Sequence, residues 1–421
     1  MVFEKSIRNY FQCQFFRHFL MVSNMIMFFF ISFITFTFDA VSPFNYLNIV
    51  FVTVFILITI LYLTITKTKP RVCLFSLCCI GLLLCFFMSF SVHGFSSFPK
   101  TPVLITIFSL FAFIWLQSNK RHISLYLFAF LLASWCFLFA FSFFEIDSII
   151  RPNFSKRIGS FFGNQNDVAR HLVFSLLINL YYAFSFKKKI LKVFLYLIVL
   201  FCSYLVLLTG SISNLLLVAV LLFVYAFLVS NHKSKSVYIT VFLIMTFLLL
   251  LSLFIFPVFS PIKNRIMSIV MSLFGVGNSN YDSSTIGRLN AAIYGFKLFL
   301  SSPLFGSGYN GVVNNYKIMA HNNLAEIAAD YGLFALIFEE TLILFPLFAK
   351  TRISTKHIVL VKTAIVYLAF VQLFLVVFNS KIEAIVLPLI YIVLDRNEPI
   401  NSLSKTRRCS NFKYRYFEAN I

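Results

Sequence analysis

Apolar residues run along this chain in blocks of about twenty, separated by short polar stretches rich in Lys and Arg. A block of that length crosses the roughly 30 Å hydrocarbon core of a bilayer as a helix, which satisfies its own backbone hydrogen bonds where no water is present. The pattern predicts twelve spans, at 19–38, 44–66, 72–92, 102–117, 123–144, 168–186, 190–208, 212–230, 237–257, 332–349, 358–379 and 382–394. The fourth opens at Pro102, and the last is short and contains Pro388, so a re-entrant or interfacial segment is the alternative there. The expected fold is an all-α polytopic membrane protein with a large external loop, 258–331, between spans nine and ten. Residues 1–394 form the membrane domain and 395–421 a basic cytoplasmic tail.

Composition agrees with the pattern. Of the 421 residues 60% are hydrophobic and only 12% charged, with a mean hydropathy of +0.91. Soluble domains carry roughly 25% charged residues, so a water-soluble enzyme, a disordered chain and a disulfide-rich secreted module are excluded. The net charge of +21 has a direction as well as a size. Most of the Lys and Arg fall in alternate loops, including Lys67–Arg71, Lys120–Arg121 and Lys187–Lys189, together with both termini. Cytoplasmic loops accumulate such residues, which puts both termini in the cytoplasm. The tail's Arg407, Arg408, Lys413 and Arg415 suit anionic lipid headgroups rather than nucleic acid. The first span lacks a small-residue cleavage site and acts as an anchor. The eight Cys lie within spans or on the cytoplasmic side, which predicts neither an external disulfide nor a metal site.

Chemistry is then sought in the outer loops. In the long loop, 285–300 puts Leu289, Ala292, Ile293, Phe296, Phe299 and Leu300 on one stripe at helical spacing, predicting an amphipathic helix on the membrane surface or on the bundle. Ser284 or Thr285 caps its start, and Ser302–Pro303 ends it. Arg288 falls in the first turn, where a cation gains nothing from the helix dipole; it serves an anion or is simply solvated. Gly306-Ser-Gly308-Tyr309-Asn-Gly311 follows. No strand precedes it, so it is no dinucleotide fingerprint. It is either a tight turn that lets backbone amides approach something closely or a plain turn. His321-Asn322 then leads past Glu326 and Asp330 to Gly332, a polar vestibule in which a neutral His accepts a proton from a hydroxyl group. The other external cluster runs from Arg151 and Arg157 through Gly163 and Asn166 to Arg170 and His171. Its cations, glycines and amides suit a pyrophosphate or lipid headgroups. Arg170, Glu339 and Glu340 sit within apolar segments, where charge is costly, and need partners.

These stretches together resemble the O-antigen ligase and O-antigen polymerase family of bacterial inner-membrane glycosyltransferases. Gly159-Ser-Phe-Phe-Gly163-Asn-Gln-Asn166-Asp-Val-Ala169 is similar to the family's Gly-x-Phe-x-Asn-x-Asn-x-x-Ala stretch. Gly287-Arg288 through Ser302-Pro303-Leu-Phe-Gly306-Ser-Gly308 is similar to its Arg-helix-Pro-Leu-x-Gly-x-Gly stretch. His321-Asn322, followed after nine residues by Gly332, matches its His-Asn-x9-Gly pattern. The resemblance implies a helical bundle of about twelve spans and metal-independent, cofactor-free transfer of a glycan from undecaprenyl pyrophosphate to an acceptor glycan or lipid A-core. It implies that His321 activates the acceptor hydroxyl, that Arg288 binds the donor pyrophosphate, and that Arg157 and Asn166 line the lipid-carrier site, with Tyr309 and Asn322 as further substrate contacts. One departure is that Ile212 stands where the family usually has Arg, in Leu208-Thr-Gly-Ser-Ile212-Ser. Arg157, Arg170 or Arg265 compensates, or the donor differs.

Ligase and polymerase remain alternatives within the family: the His-Asn-x9-Gly pattern favours the first and Ala335 the second. A transporter is the rival of a different class. Such a protein usually shows internal repeats around midplane polar residues, whereas polarity here is concentrated in the outer loops.

Overall fold

Lipid forces each apolar block to close its hydrogen bonds within itself, and the computed structural model is all-helical, with no strand among the described residues. These are 2–38, 44–94, 98–152, 158–159, 162, 164–229, 240, 263–264, 267, 283–320, 322–348, 355–373 and 381–395. The helices are α1 (Val2–Phe38), α2 (Phe44–Thr66), α3 (Leu74–His93), α4 (Lys100–Ser118), α5 (Ile123–Phe144), α6 (Ile146–Ile150) and α7 (Gln165–Ser185). They continue as α8 (Lys189–Leu208), α9 (Ile212–Val229), α10 (Ser283–Ser301), α11 (Gly311–Tyr316), α12 (Asn323–Phe348), α13 (Thr355–Val371) and α14 (Lys381–Asp395). Among the described residues nine, α1–α5, α7–α9 and α12, are long and apolar enough to cross a membrane. The chain is a multi-pass membrane protein.

Two of the remaining predicted spans are shorter helices, α13 and α14, and the span at 237–257 lies outside the described residues. The predicted start of span ten needs correction. Helix α12 begins at Asn323, and Asn323, Ala325–Gly332 are buried rather than part of an outer loop. Hydropathy placed the start at Gly332 because the preceding turns carry Asn323, Glu326 and Asp330; those groups find partners in the protein instead of in water.

The bundle is organised around α7, in which every residue from Val168 to Ala183 is buried. By contrast α8 is two-sided: Leu195, Val199, Cys202 and Leu205 recur at helical spacing against the protein, while Ile190, Val193, Leu197 and Leu200 face outward. Polar bonds define the two ends. At one, Arg17 Nε donates to Tyr62 Oη (3.2 Å), Tyr62 Oη donates to Asn119 Oδ1 (3.0 Å), and Lys120 pairs with Asp395. At the other, His171 Nδ1 donates to the Phe36 carbonyl (2.9 Å), and the Asn323 amide donates to the Gln372 carbonyl (2.9 Å). We call the second the site end.

Candidate functional site

The chain is interrupted inside α12. Gly332 has φ 83° and ψ −171°, a conformation that L side chains rarely adopt. A Cβ there would lie 2.2 Å from the Leu304 carbonyl oxygen, and one on Gly306 (φ 67°) would lie 2.3 Å from the Asp330 carbonyl carbon. The segment 302–311 is thus pressed backbone to backbone against the break. The interruption releases main-chain groups that a continuous helix would pair, and such groups need partners when buried. The Ser307 amide donates to the Ala329 carbonyl (2.7 Å), and the Gly308 amide and Ser89 Oγ donate to the Asp330 carbonyl (both 3.1 Å). The Leu333 amide donates to the Pro303 carbonyl (2.8 Å).

The Asp330 carboxylate completes this clamp. It is fully buried and accepts from the Asn310 amide at Oδ2 (2.8 Å) and the Gly311 amide at Oδ1 (2.9 Å). Of the two readings of the glycine motif, close approach is therefore correct, and what it approaches is a helix and carboxylate of its own chain. Successive amides that form an anion-binding nest are here occupied from within. From α3, His93 Nε2 donates to the Gly306 carbonyl (3.0 Å). Tyr309 is half-buried. Burial foremost, then the neighbouring Asp330 and Glu326, raise its phenol above the ordinary value.

The start of α12 is held separately. Asn322 caps it, its Oδ1 accepting from the Ala325 amide (2.9 Å), while its Nδ2 donates to the Leu373 carbonyl (3.2 Å). Both ends of the amide are thereby engaged. Glu326 is buried and keeps Oε2 without a hydrogen-bond partner. Alongside runs α10, and of the two expected placements for its large apolar stripe the bundle is not the one found. Ile293, Phe296 and Leu300 are exposed, and the protein-facing stripe is Ala291, Gly295 and Leu298. Small residues win this face because the backbones come close: a Cβ on Gly295 would meet Ala325 at 3.1 Å. Leu298 lies beside Gly311, which itself touches Asp330. Rising numbers on α10 thus meet rising numbers on α12 in space, with Leu298 level with Asp330 and Gly295 level with Ala325. Arg288 belongs to the same stripe, two turns before Gly295, which puts it towards the level where α12 starts. It is half-buried and stands in the second turn of a helix that begins at Ser283, not the first as the sequence suggested.

The second polar segment enters α7. Asn164 caps the helix, its Oδ1 accepting from the Asn166 amide (2.9 Å). Asn166 is half-buried, and its carbonyl accepts from Asn214 Nδ2 of α9 (3.2 Å), which also donates to Ser211 Oγ (2.9 Å). The Ile158 amide reaches the Leu208 carbonyl (3.4 Å). The stretch around Asn166 and the stretch containing Ile212 are thus one unit, although the sequence separates them. Gly159 (φ 96°) gives its amide to Glu145 Oε1 (3.0 Å). One turn into α7, Arg170 is buried with Nη2 3.4 Å from Asp167 Oδ1. Its field and that of Glu383 both reach the Tyr367 hydroxyl.

His321, Arg157 and Arg265 lie outside the described residues. The structure brings Asn166 and Arg170 together at the mouth of α7, and Tyr309, Asn322 and the Arg288 helix together around α12. Sequence reasoning singled out Asp330 only as a neighbour of His321, and it missed Ser89, His93, Asn214 and Glu383. Glu383 carried a signal, an acid inside an apolar segment. It is buried and shares a small cavity of about 30 Å³ with Glu339. Among the described residues no cluster of three or more His, Cys, Asp or Glu could hold a metal ion.

The fold defines a multi-pass helical membrane protein whose irregular, polar backbone is gathered at one end of the bundle. Residues 197–338, from α8 through the break in α12, match the family model described as O-antigen ligase, and this match supports assignment to the O-antigen ligase family. No curated protein matches the chain.

Proposed function

We propose that the protein is a membrane glycosyltransferase of ligase type that moves a glycan from undecaprenyl pyrophosphate to a sugar of a lipid A-core acceptor. The observation that carries this reading is the parallel pairing of α10 with α12, which runs Arg288 towards the start of the helix that His321-Asn322 precedes in sequence. In the proposed step the acceptor hydroxyl oxygen attacks the anomeric carbon. The bond from that carbon to the diphosphate oxygen breaks, and the leaving diphosphate keeps the electron pair. His321 takes the hydroxyl proton. Arg288 and Arg170, with Arg157 and Arg265, offset the charge that grows on the leaving group, and Arg170 supplies the cation that Ile212 does not. Asn166, Tyr309 and Asn322 shape the surrounding surface. A diphosphate leaves readily, so neither metal nor cofactor is required. The basic end that holds Arg17, Lys67 and Lys120 faces the cytoplasm; both termini lie there, and the site end faces outward from the bacterial inner membrane.

The test is the lipopolysaccharide profile of a deletion strain complemented with wild type or His321→Ala. Loss of every band above lipid A-core in both the deletion and the variant, with the variant still inserted in the membrane, is the expected result. Core carrying a single repeat unit would make the protein a repeat-unit polymerase instead. A normal ladder in the variant would remove His321 from the reaction, and a normal ladder in the deletion strain would remove the function.

A further inference from the structure

A cavity of about 390 Å³ opens at the site end between α1, α2, α4 and α14, away from Arg170 and the α10–α12 pair. It falls within the size of small-molecule pockets, roughly 300–1,000 Å³. Its polar groups are graded with depth. Tyr46, Lys100 and Thr101 are exposed at its mouth. Two residues, about half a helical turn, further along α2 than Tyr46 is Asn48, only 3% exposed, whose Nδ2 donates to Thr35 Oγ1 (3.3 Å) while its Oδ1 has no hydrogen-bond partner. Beyond Asn48 the wall is apolar down to Phe108, which lies two turns below Lys100 on α4. A buried amide with one end unsatisfied is costly wherever it occurs, and a wall otherwise built of Ile, Val, Leu and Phe gives it no reason to be there.

From this gradient we infer that the cavity seats one chain of an anionic glycerophospholipid. The phosphate sits at the Lys100 ammonium and the Thr101 hydroxyl, an ester carbonyl lies at the depth of Asn48, and the acyl chain runs against the apolar wall. Asn48 meets this ligand with its amide turned so that Oδ1 accepts from Thr35 and Nδ2 donates to the ester; the two amide orientations have the same shape. The middle element selects the lipid class. A polyprenyl phosphate has no polar atom beyond its phosphate and would leave Asn48 unsatisfied. The single cation at the mouth favours a net-negative headgroup over a zwitterionic one. The lining of this seat includes none of the residues assigned to the transfer site.

The test uses the full-length protein in nanodiscs of equimolar phosphatidylglycerol and phosphatidylethanolamine with undecaprenyl phosphate added, followed by release into mild detergent and native mass spectrometry. Wild type is expected to retain one phosphatidylglycerol, and Lys100→Glu and Asn48→Leu each to lower its occupancy about tenfold. Lys100 is on the surface, so that variant tests the seat even if Asn48→Leu fails to fold. Equal retention of phosphatidylethanolamine, retention of undecaprenyl phosphate instead, or a Lys100→Glu protein that holds phosphatidylglycerol as wild type does would each overturn the assignment. None of these readouts depends on glycan transfer.

Discussion

The entrances to α7 and α12 are built from the same materials, glycines, amides and a buried charge, and do opposite things. At α12 the amides of Asn310 and Gly311 point at a buried carboxylate of the same chain, Asp330. The nest is full and the loop is locked. At α7 the backbone is held from outside, by Asn214 on one side and Glu145 on the other, and the buried charge is a guanidinium. A glycine motif that looks ready for phosphate is thus a structural clamp, while the segment with the plainer motif buries a guanidinium beside its own Asp167. Backbone amides count as an anion site only after the protein's own carboxylates have been counted.

That contrast can be broken in order of severity. Gly332→Ala drives a Cβ into the Leu304 carbonyl at a positive φ, and should cost about 5 kcal/mol or more, seen as loss of folded protein in detergent; a wild-type melting temperature would mean the break is not required. Asp330→Ala leaves two buried amides without acceptors, for about 3–4 kcal/mol, and inorganic pyrophosphate should not restore the melting temperature. Arg170→Met should leave the clamp and its melting behaviour intact but reduce transfer about 10–100-fold, the loss of one charge-assisted contact worth roughly 1.5–3 kcal/mol. Equal damage to stability would place Arg170 in the scaffold. Gly159→Ala, at φ 96° with Val168 Cγ1 3.1 Å from the added methyl, should lower stability by about 1–2 kcal/mol without touching α12. Tyr309→Phe should cost about 1 kcal/mol at neutral pH. Because burial raises the phenol above its ordinary value of 10.0, the stability it contributes is complete below pH 10 and declines above it, as the unfolded chain gives up its proton first. The difference between wild type and Tyr309→Phe should therefore shrink in alkaline melts.

The long apolar blocks were legible because their period and length are set by the bilayer alone, and α2–α5 and α7–α9 fall close to where the pattern puts them, whereas α1 ends where expected but begins at Val2, well before residue 19. Failure came where tertiary partners override solvent. Glu326 and Asp330 make Asn323–Tyr331 look like loop, yet neighbouring backbone and Ser89 satisfy the segment well enough to bury it. On α10 the large residues left the membrane surface and the bundle open as packing partners; Ala291 and Gly295 take the protein face because two backbones meet there, and Ile293, Phe296 and Leu300 are left exposed. The candidate site was legible as residue types and spacing around Arg288, Asn166 and Arg170. Which amides were already spoken for could not be read, since Asp330 lies some twenty residues from the glycines it binds.

The break in α12 also orders assembly. All the groups that satisfy it, Ser89, Pro303, Ser307, Gly308, Asn310 and Gly311, precede Asp330 in the chain and have left the ribosome before it does. The anchor at the helix start, by contrast, waits for Gln372 and Leu373. The partners needed at the break are therefore synthesised before Asp330, and those needed at the start of α12 are synthesised after it.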